Sequence, residues 1–504
     1  MELLFETQTA KYLREVLYAA ISQEETSETI VPDSYPDVER ILDSFASVVI
    51  RGKDYRSGGV NVSGGIHAGV LYMPEDHSAP RTLHFYIPFN VKADSDEATD
   101  RTRAMVDCHV RSVDARAINS RKVMIRVNLA GHVAGYEPAE QDLYSFQPQS
   151  DCDLQTKNTT YRVVRPLELG EKPFTMAEEA ELPSGRAPMQ ELCRYQTDLD
   201  VTEARMVGNK GVFKGAVNLK LLYLTEDGEL NTWSCQLPFS QYVELEHDYD
   251  EEELQTMMVL TDLNVEDANG QGKRLLVNLQ LLAQCAVVGE RSMEVVEDAY
   301  SLCHDFTPRW QTLEAAGRLD RQNLNQVVRS AIQVPARSVV DTQIYLDTPV
   351  LRHQDDTATM VLPLTANILY VDEEGELQGT CARLESSCQT ALADGCTCRP
   401  CARLTGEAFA VPAGEGVEVR CSVGFTVDSM ANQGIKTLCG GQMSEDCTAA
   451  ADRPSVILRP AKADDTLWSV AKSCRTTTDA VCKANSLDAD NPKLTGMLLI
   501  PIAK

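Results

Sequence analysis

Residues 217–228 of this 504-residue chain read Val-Asn-Leu-Lys-Leu-Leu-Tyr-Leu-Thr-Glu-Asp-Gly. From Val217 to Leu221, apolar residues alternate with single polar ones, which is the two-residue period of a strand with one buried face. The Asp227-Gly228 pair that follows readily adopts the positive φ angles of a tight hairpin turn. The stretch therefore predicts a strand, a turn and an antiparallel partner strand.

This pattern occurs three times, aligned on a Leu-Tyr dipeptide that ends at Tyr72, Tyr223 and Tyr370. The first two tyrosines are 151 positions apart and the last two 147, a period that suits copies of a whole domain rather than a short solenoid repeat. Each copy also has a later alternating segment, at residues 123–129, 275–281 and 417–423. Strands at such short intervals predict a β-sandwich or barrel for each copy.

Two local features depart from the pattern. Gly375 takes the place of Gly228 in the third copy, but His77 stands there in the first copy, so we expect its turn to differ. Ahead of the first copy, a group of apolar residues has helical spacing and predicts a helix: Leu13, Val16, Leu17, Ala20 and Ile21.

Composition and charge limit the possible functions. The net charge of −28 argues against nucleic acid or anionic lipid as the main ligand. The charge is uneven, since residues 456–504 carry +2 and residues 1–455 carry −30. Glu2 and Glu6 open the chain, and no segment approaches the ~20 apolar residues of a membrane span. We therefore expect a cytosolic protein without a secretory signal or a membrane span.

The sequence gives little sign of catalysis. It lacks the common nucleophile, zinc-protease, phosphate-loop and dinucleotide motifs, so we expect no enzyme activity and no cofactor. Among 16 cysteines, the run Cys396-x-Cys398-x-x-Cys401 is a weak zinc motif because no matched second pair follows it. Whether these cysteines bind a metal stays open. Three histidines around the first hairpin are interpreted as solvated strand and loop residues: His67, His77 and His84.

Three motifs near the C-terminus belong together. They read Asp-Asp-Thr-Leu-Trp-Ser-Val-Ala-Lys at 464–472, Ala-Asn-Ser-Leu at 484–487 and Gly-Met-Leu-Leu-Ile-Pro at 496–501. This combination resembles a LysM domain, a module that usually binds cell-wall glycans, and a βααβ unit is expected for it.

Local residues refine this expectation. Asp464 or Asp465 is predicted to cap the first helix, and Thr476 with Asp479 the second. Pro460 predicts a short first strand, because proline is tolerated only at a strand end or a sheet edge.

A second resemblance lies near the N-terminus. Residues 30–42 read Ile-Val-Pro-Asp-Ser-Tyr-Pro-Asp-Val-Glu-Arg-Ile-Leu, with Pro-Asp-x-x-Pro-Asp placed before an expected helical turn. The segment resembles the signature of the SPOCS family, also called DUF3794, whose members are associated with sporulation and the spore coat. SPOCS repeats followed by LysM resemble a clostridial spore-coat morphogenetic protein that binds the coat-basement ATPase.

The fold prediction is a mainly β chain of three tandem β-sandwich or barrel-like SPOCS repeats followed by a small βααβ LysM domain. Gly440 and Gly441 are interpreted as part of a flexible polar segment ahead of that domain. The predicted bounds are 1–150, 151–302 and 303–445 for the repeats, the third of them diverged, 446–455 for a linker and 456–504 for LysM.

The resemblance to LysM implies a binding groove between the loop that opens the first helix and the loop that leaves the second. On this chain the groove residues are Asp464, Asp465, Thr466, Leu467, Trp468, Asn485, Ser486 and Leu487. Trp468 is either an interface anchor or a core residue, and for Leu467 core packing is the favoured interpretation.

The segment Pro32, Asp33, Pro36 and Asp37 has two interpretations. It is a candidate docking loop with two exposed carboxylates, or proline fixes the backbone while aspartate caps a turn that starts at Val38. The structural interpretation is favoured.

The function predicted from these features is a non-enzymatic scaffold or adaptor of spore-coat or spore-envelope assembly. The resemblance implies assembly in the mother-cell cytosol at the forespore surface, with the LysM tail on a coat-basement ATPase or another coat protein. Self-association of the repeats is a further possibility. The alternative is a peptidoglycan-binding or glycan-binding protein of the cell envelope that uses LysM conventionally.

Overall fold

The computed structural model describes residues 2–146, 153–316, 320–354, 357–391, 396–414, 416–444, 454–488 and 493–502. Within these residues the chain consists almost wholly of antiparallel strands, and the two helices lie near the C-terminus. The prediction of a mainly β protein is confirmed. Neither helix in the described part of the chain is long and apolar enough to cross a membrane.

The N-terminal part forms a β-sandwich. Its strands are β1 (Glu2–Leu4), β2 (Glu6–Ile30), β3 (Val38–Arg56), β4 (Gly59–Pro74), β5 (Arg81–Asp94), β6 (Arg103–Asn119) and β7 (Lys122–Ser145). They form two three-stranded sheets, β3–β4–β5 and β2–β7–β6, while β1 pairs with a strand of the third part. Ile66 of the first sheet and Ile125 of the second are fully buried in one apolar core.

The second part repeats this arrangement. Its strands are β8 (Leu154–Glu181), β9 (Met189–Val207), β10 (Lys210–Thr225), β11 (Leu230–Glu244), β12 (Glu253–Asp267) and β13 (Arg274–Ser301). The sheets are β9–β10–β11 and β8–β13–β12. Leu219 and Leu221 of β10 lie in one buried core with Leu279 and Leu281 of β13, as the alternating pattern predicts.

The third part has the same plan with more interruptions. Its strands are β14 (Phe306–Ala316), β15 (Asp320–Ile332), β16 (Ala336–Leu346), β17 (Val350–Gln354), β18 (Thr357–Asp372), β19 (Leu377–Ala391), β20 (Cys396–Leu404), β21 (Phe409–Ala413) and β22 (Gly416–Met443). One sheet is β16–β18–β19 with β17 also on β18, and the other has β22 at its centre. Strands β14 and β15 together take the place of β2 and β8, since they pair in turn along β22.

The hairpin turn of the first sandwich begins like those of the other two but is longer. His77 adopts the left-handed conformation, with φ of 53°, as Gly228 does at 81° and Gly375 at 92°. Its N–H donates to the carbonyl of Pro74 at 3.0 Å, as the Gly228 N–H donates to that of Thr225. Histidine tolerates positive φ better than most residues, so the start of the turn is shared. The connection as a whole differs, as predicted, because six residues join β4 to β5, whereas four join β10 to β11 and four join β18 to β19.

The predicted N-terminal helix is also wrong. Residues 6–30 form β2, which pairs with β7 almost residue by residue. A bulge between Glu15 and Leu17 breaks the two-residue alternation, so Val16 and Leu17 are both buried. Adjacent buried residues followed by buried Ile21 imitate the spacing of a helix. The turn expected at Val38 is likewise a strand, β3.

Gly440 and Gly441 lie inside β22, so their assignment to a flexible segment was wrong. They pair with Arg309 and Pro308 of β14. A Cβ atom on Gly441 would lie 2.4 Å from the Phe306 ring, so the glycine makes room for that ring. The predicted bounds between the repeats stay predictions, because residues 147–152 and most of the proposed linker, 446–453, lie outside the described residues.

Equivalent positions of the three sandwiches meet at one buried junction. The charged residues at these positions are Asp43 of β3, Arg194 of β9 and Asp341 of β16. Their spacing along the chain is the same as that of the Leu-Tyr dipeptides. On the adjacent strands they pair with Leu71, Leu222 and Leu369, in that order. Arg194 forms ion pairs with both aspartates, and the three side chains are at most 6% exposed. The surrounding apolar side chains also come from equivalent positions: Leu42, Cys193 and Val340; Leu71, Leu222 and Leu369; and Ala79, Leu230 and Leu377. The three sandwiches are therefore arranged with approximate threefold symmetry.

Donors from the neighbouring sandwiches complete this junction. Lys220 forms an ion pair with Asp341 at 2.7 Å and donates to the Thr342 carbonyl at 2.9 Å. The equivalent Asn367 donates to the Ser44 carbonyl at 3.0 Å and to Asp43 at 3.4 Å. Burial raises the pKa of the Asp43 carboxyl, and Arg194 opposes that rise.

Away from the junction, the longest strands run past their sandwiches as three two-stranded arms. Arm 1 consists of residues 6–14 and 137–145, arm 2 of residues 154–165 and 289–301, and arm 3 of residues 306–316 and 432–443. Buried side chains join the arms into a stalk: Phe5, Leu154, Val163, Met293, Val295, Val296, Leu313, Ile435 and Leu438. The stalk carries the C-terminal module, formed by β23 (Val456–Pro460), α1 (Leu467–Cys474), α2 (Thr478–Asn485) and β24 (Met497–Pro501).

Candidate functional site

The C-terminal module has its own small core and the expected βααβ order. Val470 and Val481 of the two helices are fully buried against Ile500 of β24. Strand β23 is only five residues long and ends at Pro460, as the proline predicts.

The helix caps differ from the predicted ones. Thr466, not Asp464 or Asp465, caps α1, with its hydroxyl accepting from the Ser469 N–H at 3.1 Å. Thr477 caps α2, one residue after the predicted Thr476. Aspartate and threonine are both good caps at residues 464–466, and residues 476–478 are all threonine, so residue type alone does not select the cap.

The module is held on arm 2 by one carboxylate, that of Asp298 in β13. The Trp468 indole Nε1 donates to Asp298 at 2.8 Å, and the Lys472 ammonium donates to its two oxygens at 2.6 and 2.7 Å. Arg475 forms a further ion pair with Asp305 and donates to the Cys303 carbonyl at 3.4 Å. The basic α1 therefore binds an acidic segment of the body, in agreement with the uneven charge of the sequence.

Tyr300 adds an apolar contact beside Asp298. Its ring meets the Trp468 indole edge to face, with centroids 4.9 Å apart, and its hydroxyl donates to the Thr476 carbonyl at 2.6 Å. Burial, with the nearby Asp298 charge, raises the pKa of Tyr300 to about 12. Tyr300 is itself buried in the core of the module, so that core is continuous with the stalk.

The predicted groove residues divide into two groups. Several are engaged within the chain: Trp468 with Asp298, Leu467 in the module's core, and Asp465, which accepts from Arg459 at 2.6 Å and from the Lys462 N–H at 2.8 Å. The bond from the Lys462 amide is the main cause that lowers the pKa of Asp465.

Asn485 is engaged as well. Its amide donates to the carbonyls of Val481 and Leu499 at 2.8 and 2.6 Å and accepts from the Leu499 N–H at 2.7 Å. These bonds join α2 to β24, so the Asn485 side chain has a structural role. The exposed groove residues are Asp464, Thr466 and Ser486, with Leu487 partly buried beside them.

The Pro-Asp loop, residues 32–37, lies at the opposite end of β2 from the stalk. Arg121 binds it by donating to Asp33 at 3.1 Å, to Asp37 at 2.9 Å and to the Tyr35 carbonyl at 2.8 Å. Both carboxylates therefore have a cationic partner within the sandwich. The structure does not bring this loop together with the groove.

The second sandwich keeps the backbone of this loop without its aspartates. The Arg186 N–H donates to the Pro183 carbonyl at 2.9 Å, as the Tyr35 N–H donates to that of Pro32 at the same distance. The hydroxyl of Tyr223 donates to the Ala187 carbonyl at 3.5 Å, as Tyr72 does to that of Pro36 at 3.1 Å. The conformation of the loop therefore does not depend on the two aspartates.

The residues of the weak metal motifs are spread along strands. Cys396, Cys398 and Cys401 all lie on β20, and the Cys398 thiol is 3.5 Å from the Ser429 hydroxyl. His67 packs edge to face on Tyr86, with centroids 5.3 Å apart. Among the residues that the structure describes, no group of three or more His, Cys, Asp or Glu side chains is arranged to hold a metal.

Sequence reasoning did not find Asp298 and Tyr300, the residues that receive the module. They lie about 170 positions before Trp468, at the end of a long alternating strand. The one available signal was the charge asymmetry, which indicates a basic module near an acidic body but does not select a contact residue.

Comparison with protein-family models finds two domain types in the chain. The SipL, SPOCS domain model matches residues 37–118 and 188–271, and the LysM domain model matches residues 461–501. No curated protein and no solved structure matches the chain. Both domain types are non-catalytic, and together they indicate a sporulation-associated protein with a module of the glycan-binding type. The chain thus carries two SPOCS-domain segments in its first two sandwiches, followed by a C-terminal LysM domain.

Proposed function

We propose that this protein is a non-enzymatic scaffold of spore-coat or spore-envelope assembly, located in the mother-cell cytosol at the forespore surface. Its LysM module would dock on a coat-basement protein, the morphogenetic ATPase or another coat component. The observation that carries the proposal is the attachment of the module to the stalk through Asp298 and Tyr300. A module fixed in one orientation presents its free loops to a partner at low entropic cost.

The third sandwich supports the scaffold role. It supplies Asp341 to the junction at the position equivalent to Asp43 and Arg194, so we propose that residues 303–445 are a third, diverged SPOCS repeat. Three repeats closed around one junction form a broad body with the LysM module at the far end of the stalk. Self-association of such bodies stays a prediction, and the net charge of −28 opposes it at low salt.

The exposed part of the groove is the proposed docking surface. Asp464 and Ser486 are exposed on the two loops, and their polar groups are not needed for the module's core. We expect Asp464→Lys to weaken binding of the full chain to purified coat-basement ATPase by roughly tenfold, measured by biolayer interferometry. Asp479→Lys is the matched control, since it makes the same charge change on an exposed site of α2 outside the groove.

Either of two results would overturn the docking proposal: no binding by the wild-type chain, or equal loss in both variants. Sedimentation of the full chain with purified peptidoglycan runs in parallel. Retention there without binding to the ATPase would favour the alternative, a glycan-binding protein of the cell envelope.

A further inference from the structure

An open cleft of about 760 Å³ lies where the LysM module meets the stalk. Arm 2 forms one wall, arm 3 a second, and Trp468 of α1 a third. The lining side chains are Lys157, Tyr161, Glu297, Asp298, Trp310, Ile435, Lys436 and Trp468, with Gly434 beside them. The volume lies within the range of ligand-binding pockets in proteins.

The accessible tryptophans of the chain meet in this cleft. Trp310 of β14 is 37% exposed, whereas Trp233 is only 9% exposed in the core of the second sandwich. Lys436 covers part of the Trp310 ring, with its ammonium 4.5 Å from the centroid. Trp468 is held by its bond to Asp298 and by Tyr300, so its indole has a fixed orientation. Two indoles from different parts of the chain therefore offer an aromatic surface, of which Trp468 is the fixed part.

The polar side chains of the cleft are balanced in charge. Tyr161 donates to one oxygen of Glu297 at 2.6 Å, and Lys157 donates to the other at 2.9 Å. The Tyr161 bond is the main cause that lowers the pKa of Glu297 to about 2, so the carboxylate is ionised at neutral pH. With Asp298 and Lys436, the cleft has two anionic and two cationic groups. This balance offers no net attraction to a strongly charged ligand of either sign.

We infer that this cleft binds an uncharged saccharide chain. A pyranose ring has apolar C–H faces that pack on an indole and a rim of hydroxyls that donate to carboxylates and accept from ammonium groups. Trp310 and Trp468 supply the first kind of surface, and Glu297 and Lys157 the second. An open cleft also admits a polymer that extends beyond it. The site is separate from the loops of Asp464 and Ser486, so it goes beyond the proposed docking function.

The test is a titration of the full chain with two neutral probes, the β-1,4-linked tetramers of N-acetylglucosamine and of glucose. Binding is followed by calorimetry and by tryptophan fluorescence. We expect at least one probe to bind, and Trp310→Ala to weaken that binding about tenfold or more. Trp310 belongs to the stalk, so its effect separates this cleft from the conventional groove of the LysM module.

Tyr242→Ala is the matched control, because Tyr242 is 39% exposed and has Lys172 4.0 Å above its ring, far along the sequence from the cleft. Circular dichroism confirms the fold of both variants. Weaker saccharide binding by Trp310→Ala, with unchanged binding by Tyr242→Ala, supports the inference. Three results overturn it: no binding of either probe up to about 10 mM, binding unchanged in Trp310→Ala, or binding lost only in Asp464→Lys. ATPase docking is measured on the same samples, so a failure here is distinguishable from a failure of the proposed function.

Discussion

The two ends of the molecule both join parts of the chain through carboxylates and cations, but they differ in burial. At the junction, Asp43, Arg194 and Asp341 are at most 6% exposed. At the stalk, Asp298 is 25% exposed and Lys472 44%. A buried charge left without its partner costs several kcal/mol, whereas a partly exposed pair contributes little and is screened by salt. The sandwiches are therefore joined more strongly than the LysM module, whose ion pairs with the stalk are open to screening by salt.

The largest expected effect is at Arg194. Arg194→Met leaves two buried carboxylates without their shared cation, so we expect the free energy of unfolding to fall by about 3–5 kcal/mol. Urea denaturation followed by circular dichroism measures the change. A loss below about 1 kcal/mol would show that water reaches the junction and that the comparison of the two ends is wrong.

A second variant tests whether charge or shape matters at the junction. Combining Asp43→Leu, Arg194→Met, Lys220→Met and Asp341→Leu removes the ions together, and well-packed apolar groups replace such clusters at little or no cost. We expect this variant to recover most of the stability that Arg194→Met loses, in the same denaturation experiment. Failure to recover would mean that the junction depends on the directions of its hydrogen bonds.

At the stalk the expected effect is smaller and local. Asp298→Ala removes the acceptor of Trp468 and Lys472, which we expect to weaken attachment of the module by about 1–2 kcal/mol without unfolding the sandwiches. Hydrogen exchange of α1 should rise, and added salt should raise it in the wild type as well. Glu294→Ala, an exposed carboxylate on the same strand, is the control and should leave α1 unchanged. Equal exchange in all three proteins would contradict a weak attachment.

The smallest effect concerns the turns near the junction, where no buried ion pair is changed and the Glu39 carboxylate lies 3.6 Å from the exposed His77 ring. His77→Gly relieves a left-handed conformation that costs ~1–2 kcal/mol but adds ~0.5–1 kcal/mol of chain entropy, so we expect a net gain of about 0.5–1 kcal/mol. The reverse change, Gly228→His, should lose a similar amount. Thermal unfolding of both variants measures this, and a loss of stability in His77→Gly or a gain in Gly228→His would contradict the expectation.

Much of the architecture could be predicted because it rests on local patterns. The alternation from Val217 to Leu221 and the spacing of the Leu-Tyr dipeptides indicate the repeated sandwiches, and Pro460 indicates the short first strand of LysM. The errors arose where a local irregularity imitates another pattern. A bulge at Val16 gives helical spacing, and Gly441 inside β22 looks like a linker residue.

The candidate site was predictable only in part, because contacts over long sequence distances leave little local signal. The LysM motif identifies Trp468, but nothing near it indicates that Asp298 accepts its N–H. Asn485 is in the predicted groove, yet its amide is used by Leu499. A polar side chain such as that of Asn485 can hydrogen-bond to a ligand or to a neighbouring strand, and only the folded structure shows which partner it has.

The three equivalent positions Asp43, Arg194 and Asp341 differ in the sign of their charge, and this has a consequence for how the three repeats are linked. A trimer of identical chains would bring three copies of the same residue together on its axis. If that residue were charged, all three charges would have the same sign and none could pair with another. Covalent linkage in one polypeptide lets the equivalent positions differ. A copy of the first or third repeat in place of the second would put a third carboxylate at the junction and remove its arginine, so charge at a single point restricts which repeats can combine.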